Sequence, residues 1–307
     1  MDGFTAYMKK HKSTFFLFFD TFAAVRYIRR CELVDLESGE VIAVLKVGAM
    51  SEAVYSRKYR RLFLKSMLNN YLYVYDFNTG ELKRLRKFGY CDREIFLTDD
   101  EENVIVFINR GGVQRVSVDT LEVSVLNREK DYYFFHNGWD NPDLKCYEFF
   151  CTNSDLPTIF LRLDYQGKVL AEEPVIVDES EIRCNCVEFY REKNLYLFQC
   201  DKKDYSGETF YEPKLYTILS EKPNPSHDIK YLLEGYYSGG CCYITQYENY
   251  VFLCYGNDEV YVIDLDSRRV VKKYEVRQMS TIAQYDPRRN ALFVSVWKNL
   301  VILGNVL

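Results

Sequence analysis

The sequence predicts an all-β fold, a seven-bladed β-propeller, and three observations carry the prediction. An apolar strand, a turn bearing Asp and often Gly, and a second strand recur along the chain. Residues 71–88 read YLYVYDFNTGELKRLRKF, and the pattern returns as CELVDLESGEVIAVLKV, QRVSVDTLEVSVLN, IFLRLDYQGKVL and EVYVIDLDSRRVVKKYEV. The turn aspartates Asp35, Asp76, Asp119, Asp164 and Asp264 stand 41, 43, 45 and 100 residues apart, the last gap holding one degraded copy. A period of roughly 40–45 residues built of strands alone marks a propeller blade. Second, apolar–polar alternation fills the chain and helical periodicity is nearly absent. Third, aromatic residues make up 16% of the chain, with 27 Tyr and 21 Phe, and these suit a pleated, half-buried surface.

The strands follow in order. Blade 1 is expected at residues 14–19, 22–28, 31–36 and 41–47, and blade 2 at 51–55, 61–65, 71–76 and 82–88. The Asn78-Thr79-Gly80 turn of blade 2 is the cleanest, because glycine supplies the positive φ that such turns need. Blade 3 occupies 94–97, 104–108, 113–118 and 122–126. Blade 4 opens at 132–135, carries an insert at 136–143 (HNGWDNPD), and continues at 146–152, 158–163 and 169–176. Blade 5, the degraded copy, has strands at 182–190, 195–200, 215–219 and 229–233, with a long loop at 201–214. Blade 6 takes 242–247, 251–255, 260–264 and 270–276, and blade 7 takes 281–285, 291–297 and 300–303. Dividing the blade 1 segment differently gives six blades instead of seven.

Blade 7 thus lacks a fourth strand. Residues 3–8 (GFTAYM) are expected to supply it as an N-terminal outer strand that closes the ring and removes an open edge. The repeat fills the chain from end to end, so residues 1–307 are expected to form a single domain.

VYDFNTGEL and VIDLDSRRVV resemble the third strand, turn and fourth strand of WD40-like and YVTN-like propellers. The resemblance covers most of the chain and is generic to the superfamily. The Gly-His and Trp-Asp blade-end dipeptides are missing, and the one Trp-Asp pair, Trp139-Asp140, falls in the insert. The resemblance implies partner or ligand sites on the face bearing the second-to-third strand loops and the inter-blade loops.

Composition narrows the function classes. With a formal net charge of −5 the 307-residue chain lacks the basic footprint of a non-specific nucleic-acid binder, so no nucleic-acid partner is expected. Its basic runs, KKHK at 9–12, RKYRR at 57–61 and KRLRK at 83–87, read as solvated faces. No segment approaches a membrane span, and the apolar run at 15–19 is too short for a signal peptide. The 10 Cys include no CxxC and mostly sit in apolar strand text, which points to free thiols in a reducing, cytoplasmic setting.

Chemistry-bearing motifs are sparse. The three His are far apart, and Cys184, Cys186, Cys241 and Cys242 form only loose pairs, so no metal and no cofactor is expected. There is no G-x-S-x-G elbow, P-loop or G-x-G-x-x-G, and no catalytic residue is assigned. The run Asp99-Asp100-Glu101-Glu102 reads as a solvated turn. Propeller enzymes of the lactonase kind hold a metal at the central channel; Glu52, Glu94 and Glu181 are the acids near inner-strand starts here, but no motif supports that role and they read as ordinary strand-end charge.

The best surface signal lies around blade 5. Its long loop carries Tyr205, Phe210 and Tyr211, and the connection to blade 6, residues 234–240, carries Tyr236 and Tyr237. Both loops are expected on one face. Tyr beside adaptable Ser and Gly is the composition of a recognition surface, although such rings also pin a long loop to its scaffold. The sequence therefore points to a non-catalytic platform for a protein or peptide partner. The alternative is a small-molecule-binding or hydrolytic propeller with its site at the channel mouth.

Overall fold

The computed structural model describes residues 3–11, 13, 15–88, 95–108, 112–128, 134–152, 158–177, 180–202, 214–225, 230–236, 244–255, 258–276, 280–296 and 299–307. Helix α1 spans Gly3–His11. Blade 1 is β1 (Phe16–Phe18), β2 (Phe22–Arg26), β3 (Cys31–Asp35) and β4 (Val41–Leu45). Blade 2 is β5 (Met50–Ser56), β6 (Arg61–Ser66), β7 (Tyr71–Asp76) and β8 (Glu81–Lys87). Blade 3 is β9 (Ile95–Leu97), β10 (Asn103–Ile108), β11 (Gly112–Ser117) and β12 (Val123–Asn127). Blade 4 is β13 (Phe134–Asn141), β14 (Cys146–Thr152), β15 (Thr158–Asp164) and β16 (Val169–Pro174). Blade 5 adds a short leading strand, β17 (Ile176–Val177), to β18 (Ser180–Tyr190), β19 (Leu195–Lys202), β20 (Lys214–Ser220) and β21 (Lys230–Tyr236). Blade 6 is β22 (Ile244–Tyr247), β23 (Tyr250–Tyr255), β24 (Glu259–Asp264) and β25 (Arg269–Glu275). Blade 7 is β26 (Ser280–Asp286), β27 (Ala291–Val296) and β28 (Asn299–Gly304).

Each sheet is an antiparallel meander in chain order, and the fold is the expected seven-bladed β-propeller. Residues 50–233 form one compact unit holding blades 2–4 and blade 5 as far as Leu233; residues 1–49 and 234–307 form another holding α1, the last three residues of β21 and blades 1, 6 and 7. In the first unit β5, β9, β13 and β18 touch in succession; in the second β22, β26 and β1 do the same. The first strand of each four-stranded meander, β18 in blade 5, is therefore the inner one.

Middle strands are buried on both faces, so they read as continuous apolar runs. Phe149 and Phe150 are adjacent in β14 and both fully buried. Strand alternation sends them to opposite faces. Phe149 packs with Ile105 and Phe107 of blade 3, and Phe150 with Val187 and Phe198 of blade 5. Each such ring contributes about 1.5–3 kcal/mol by burial. Blades 2 and 3 share Phe63, Val74, Val104 and Val116, and blades 6 and 7 share Phe252, Val262, Leu292 and Val294.

The repeated turn has a single mechanism. Asp35 Oδ1 accepts from the backbone N–H groups of Glu37 and Ser38, Asp76 Oδ1 from Asn78 and Thr79, Asp164 Oδ1 from Gln166 and Lys168, and Asp264 Oδ1 from Asp266. In blade 3 the equivalent residue is Ser117, whose Oγ accepts from Thr120; Asp119 lies two residues further on. In the degraded copy Ser220 Oγ accepts from Lys222 in the same way. A left-handed residue completes several of these turns: Gly39 (φ 73), Gly80 (φ 72), Leu121 (φ 63) and Arg268 (φ 53). Gly39 is required twice over, because a Cβ there would also lie 2.1 Å from the Gly3 carbonyl oxygen.

Residues 3–8 correct the closure scheme. They form helix α1, not an outer strand, and blade 7 has three strands among the described residues. Phe4, Tyr7 and Met8 share one helical face at i, i+3 and i+4 and are buried, while Lys9, Lys10 and His11 in the last turn suit the negative helix end. The Phe4 ring lies 5.7 Å from Phe16, 5.2 Å from Phe18 and 6.0 Å from Phe293. The helix thus joins blade 7 to blade 1 by packing rings instead of by a ladder. Two smaller corrections follow. Most of the supposed insert at 136–143 is strand β13, with a bulge between Phe135 and Asn137, and residues 234–236 of the supposed connection belong to β21.

Candidate functional site

Blade 5 frames the sequence-assigned site. β19 ends at Lys202, β20 begins at Lys214 and β21 ends at Tyr236. In an antiparallel meander these three points lie at one end of the sheet, so the 203–213 loop leaves and re-enters where the chain exits β21. Tyr205, Phe210, Tyr211 and Tyr237 lie outside the described residues. Tyr236 is the last residue of β21, and its side chain is likewise outside the description.

The opposite end of blades 2–5 carries a polar network that sequence reasoning missed. The acidic run 99–102, expected to be a solvated turn, binds neighbouring blades. Glu101 Oε2 accepts from the Ser56 hydroxyl and the Lys58 N–H, both at 2.8 Å. Glu102 accepts from the Tyr59 hydroxyl at 2.6 Å and pairs with Lys58, whose hydrogen bond holds its carboxyl below the usual range. Asp99 pairs with Arg191 of blade 5, and its backbone N–H donates to Asp140 Oδ2 at 3.0 Å. Asp140 Oδ1 accepts from the Tyr165 hydroxyl at 2.8 Å, and Arg191 also donates to the Asp140 carbonyl. Asp140 is 5% exposed, and burial pushes its carboxyl up, against the pull of Tyr165. Arg61 extends the pattern, pairing with Asp76 at 2.9 Å and donating to the Val118 carbonyl of blade 3.

Trp139-Asp140, the one Trp-Asp pair, is therefore structural at both residues. Trp139 stacks on Phe189, and its Nε1–H donates at 2.9 Å to Glu148, which is 1% exposed and also accepts from Arg162. The signal that reveals the network in sequence is distance. Ser56–Glu101, Tyr59–Glu102 and Asp99–Asp140 are 45, 43 and 41 residues apart, one repeat period.

Inner-strand polar groups are used in the same manner. Glu52 Oε2 accepts from the Ile95 N–H at 3.2 Å, Asn137 donates to the Val187 carbonyl at 3.0 Å, and Thr245 donates to the Ala283 carbonyl at 2.6 Å. The side chains of Glu94 and Glu181 are outside the description, so Glu52 is the one acid of the channel reading that the structure places. Among the described residues no three His, Cys, Asp or Glu side chains group to hold a metal ion. Cys31, Cys146, Cys151, Cys200 and Cys254 are buried free thiols. Burial, then the charge of Glu32, pushes Cys31 up to about 12; burial, then Glu148, pushes Cys146 up to about 11.

Fold and site define a β-propeller. Its structure is similar to Kuenenia stuttgartiensis hydrazine synthase, with 12% identity over 92% of each chain and a TM-score of 0.73. It is also similar to the β-propeller domain of Myceliophteria thermophila Cps50 (Swd1), with 12% identity over 95% of this chain and 96% of that one and a TM-score of 0.66. A chain of a nidogen/laminin complex matches with 12% identity over 83% of this chain and 92% of its own and a TM-score of 0.56. No protein-family model and no curated protein sequence matches the chain. At such identities the likeness is one of fold alone.

Proposed function

We propose that the protein is a non-catalytic interaction platform that presents the aromatic loops of blade 5 to a protein or peptide partner. The observation that carries this reading is the course of blade 5, whose strand ends at Lys202, Lys214 and Tyr236 bring both aromatic loops out of one end of the sheet. Tyr205, Phe210, Tyr211, Tyr236 and Tyr237 are the assigned contact residues. Two of the similar structures, a propeller domain and a chain of a two-protein complex, are consistent with a binding role for such a scaffold. The proposed setting is cytoplasmic, supported by the five buried free thiols; no helix of the described residues is long and apolar enough to cross a membrane.

Tyr211→Ala and Tyr237→Ala test the reading. Each is expected to weaken partner binding by about 1–3 kcal/mol, the range of an interface anchor, with the thermal midpoint nearly unchanged. Affinity capture from the native host, quantified by mass spectrometry at matched folded protein, supplies the binding measurement. A lowered midpoint with retained capture would show that the rings only pin their loops.

A further inference from the structure

We infer that β8, the outer strand of blade 2, is a second docking surface that takes an acidic, extended segment of a partner protein. β8 is the last strand of its sheet, so one side of its backbone has no ladder partner among the described residues. Lys83, Arg84, Arg86 and Lys87 are all exposed along it. Within Glu81–Lys87 they oppose a single carboxylate, Glu81, which meets Lys83 only loosely at 3.9 Å. Arg84 is seated 4.7 Å over the Tyr71 ring and is thereby held in place, while Arg86 and Lys87 have no ion-pair partner among the described residues.

Two comparisons within the molecule set this strand apart. Cations are a common device for blunting an edge strand, yet β4, β12 and β28 are outer strands with no charged residue at all. Of the other lysine-bearing outer strands, β21 has Lys230, whose side chain is outside the description, and β25 uses its lysines internally: Lys272 donates to the carbonyls of Asn305 and Val306, and Lys273 pairs with Glu259 at 2.5 Å. The charge of β8 is thus available, in a chain whose net charge is −5.

Geometry chooses the occupant. Seven strand residues span roughly 23 Å, the length of a short extended peptide. Tyr73 faces Arg84 and Tyr71 faces Lys87, so these cations line the tyrosine side of the blade, while Lys83 opposite Val74 lines the other. An added strand would meet cations on both of its faces, and acidic side chains on both sides of an extended partner satisfy them. A second copy of β8 would instead set like charges opposite each other, which is unfavourable. Nucleic acid calls for a wider basic footprint than one strand on an acidic chain.

The full chain is titrated by fluorescence anisotropy with a labelled peptide of alternating Glu and Thr, a Lys/Thr counterpart, single-stranded oligothymidylate and phosphatidylserine vesicles. The Glu peptide is expected to bind, more weakly as salt rises, and the Lys/Thr peptide not to bind. Lys83→Glu/Arg86→Glu is expected to raise its Kd at least ten-fold with an unchanged thermal midpoint. Lys9→Glu/Lys10→Glu, which alters net charge equally at the exposed side of α1, is expected to change it less than two-fold. Absent binding of the Glu peptide, equal losses in the two variants, or stronger binding of the oligonucleotide or the vesicles overturns the inference. Because the aromatic loops of blade 5 are untouched, these outcomes leave the platform reading to its own test.

Discussion

The Tyr7 hydroxyl donates to the buried carboxylate of Glu32, joining helix α1 to strand β3. Tyr7 also meets the Tyr27 hydroxyl at 2.8 Å and stacks on His11, while Arg30 holds the other oxygen of Glu32 at 2.5 Å. The bond gives a polar lock to a helix that is otherwise held by the buried Phe4 and Met8 and by the Gly3 N–H, which donates to the Glu37 carbonyl at 3.1 Å. A helix in place of an outer strand leaves its own backbone satisfied, so the junction of blades 7 and 1 depends on these few side chains.

Tyr7→Phe removes the donor and leaves one oxygen of a buried carboxylate without it. The expected loss is about 1–3 kcal/mol by urea denaturation. Stability is also expected to fall on both sides of neutrality. Burial, then the bond to Glu32, raises Tyr7, so its share is complete below the unfolded tyrosine value of about 10 and is lost as pH rises beyond it. Burial pulls Glu32 up, but Tyr7 and Arg30 hold it below its ordinary value; its share is complete above about 4.3 and is lost as pH falls through the native value. A Tyr7→Phe protein with the wild-type alkaline profile would remove Tyr7 from this account.

Phe4 carries the apolar half of the same junction. Phe4→Ala is expected to cost about 3–5 kcal/mol, as for a fully buried ring. Deleting residues 1–11 is expected to expose Phe16, Phe18 and Phe293 and to reduce soluble yield sharply. A truncated chain that melts at the wild-type temperature would show that α1 plays no part in closing the fold.

Asp140 offers a test of the network between blades. Asp140→Ala leaves the Asp99 N–H and the Tyr165 hydroxyl without their acceptor, and a loss of about 2–4 kcal/mol is expected from two orphaned groups. Asp140→Asn keeps one acceptor oxygen, and its amide can donate to Tyr165 in return. It is expected to be near wild type at neutral pH and more stable relative to wild type as pH rises from 4 to 7. The sign follows from the raised carboxyl, whose contribution is present below the unfolded value and diminishes as pH passes the native one. Chemical denaturation of both variants across that range gives the measurement.

The blade period was legible because Asp35, Asp76, Asp164 and Asp264 cap their turns with a carboxylate, a choice few side chains can make. Ser117 and Ser220 do the same work with a hydroxyl, and a search for aspartate passes over them. Helix α1 was not legible, since GFTAYM is too short to separate a period of 3.6 from one of 2. The inter-blade network was hidden because each member looks like a solvated charge until a residue one period away is set beside it. Of the candidate site, the topology of blade 5 was legible, and its five aromatic side chains lie outside the description.

The thiols supply the last prediction. Cys31, Cys146, Cys151, Cys200 and Cys254 are buried, and for the first three burial raises the thiol, so little thiolate exists at pH 8. Thiolate is the reactive form. In the native protein these five are expected to react with an aromatic disulfide reagent only as fast as the blades open, slowly and with a rate that urea increases. In denaturant, freshly isolated protein is expected to titrate all 10 Cys without prior reduction. Mass spectrometry of the native reaction assigns the sites. Rapid labelling of Cys31 would contradict its burial in β3, and recovery of two or more disulfides would place the chain in an oxidising compartment and remove the cytoplasmic reading.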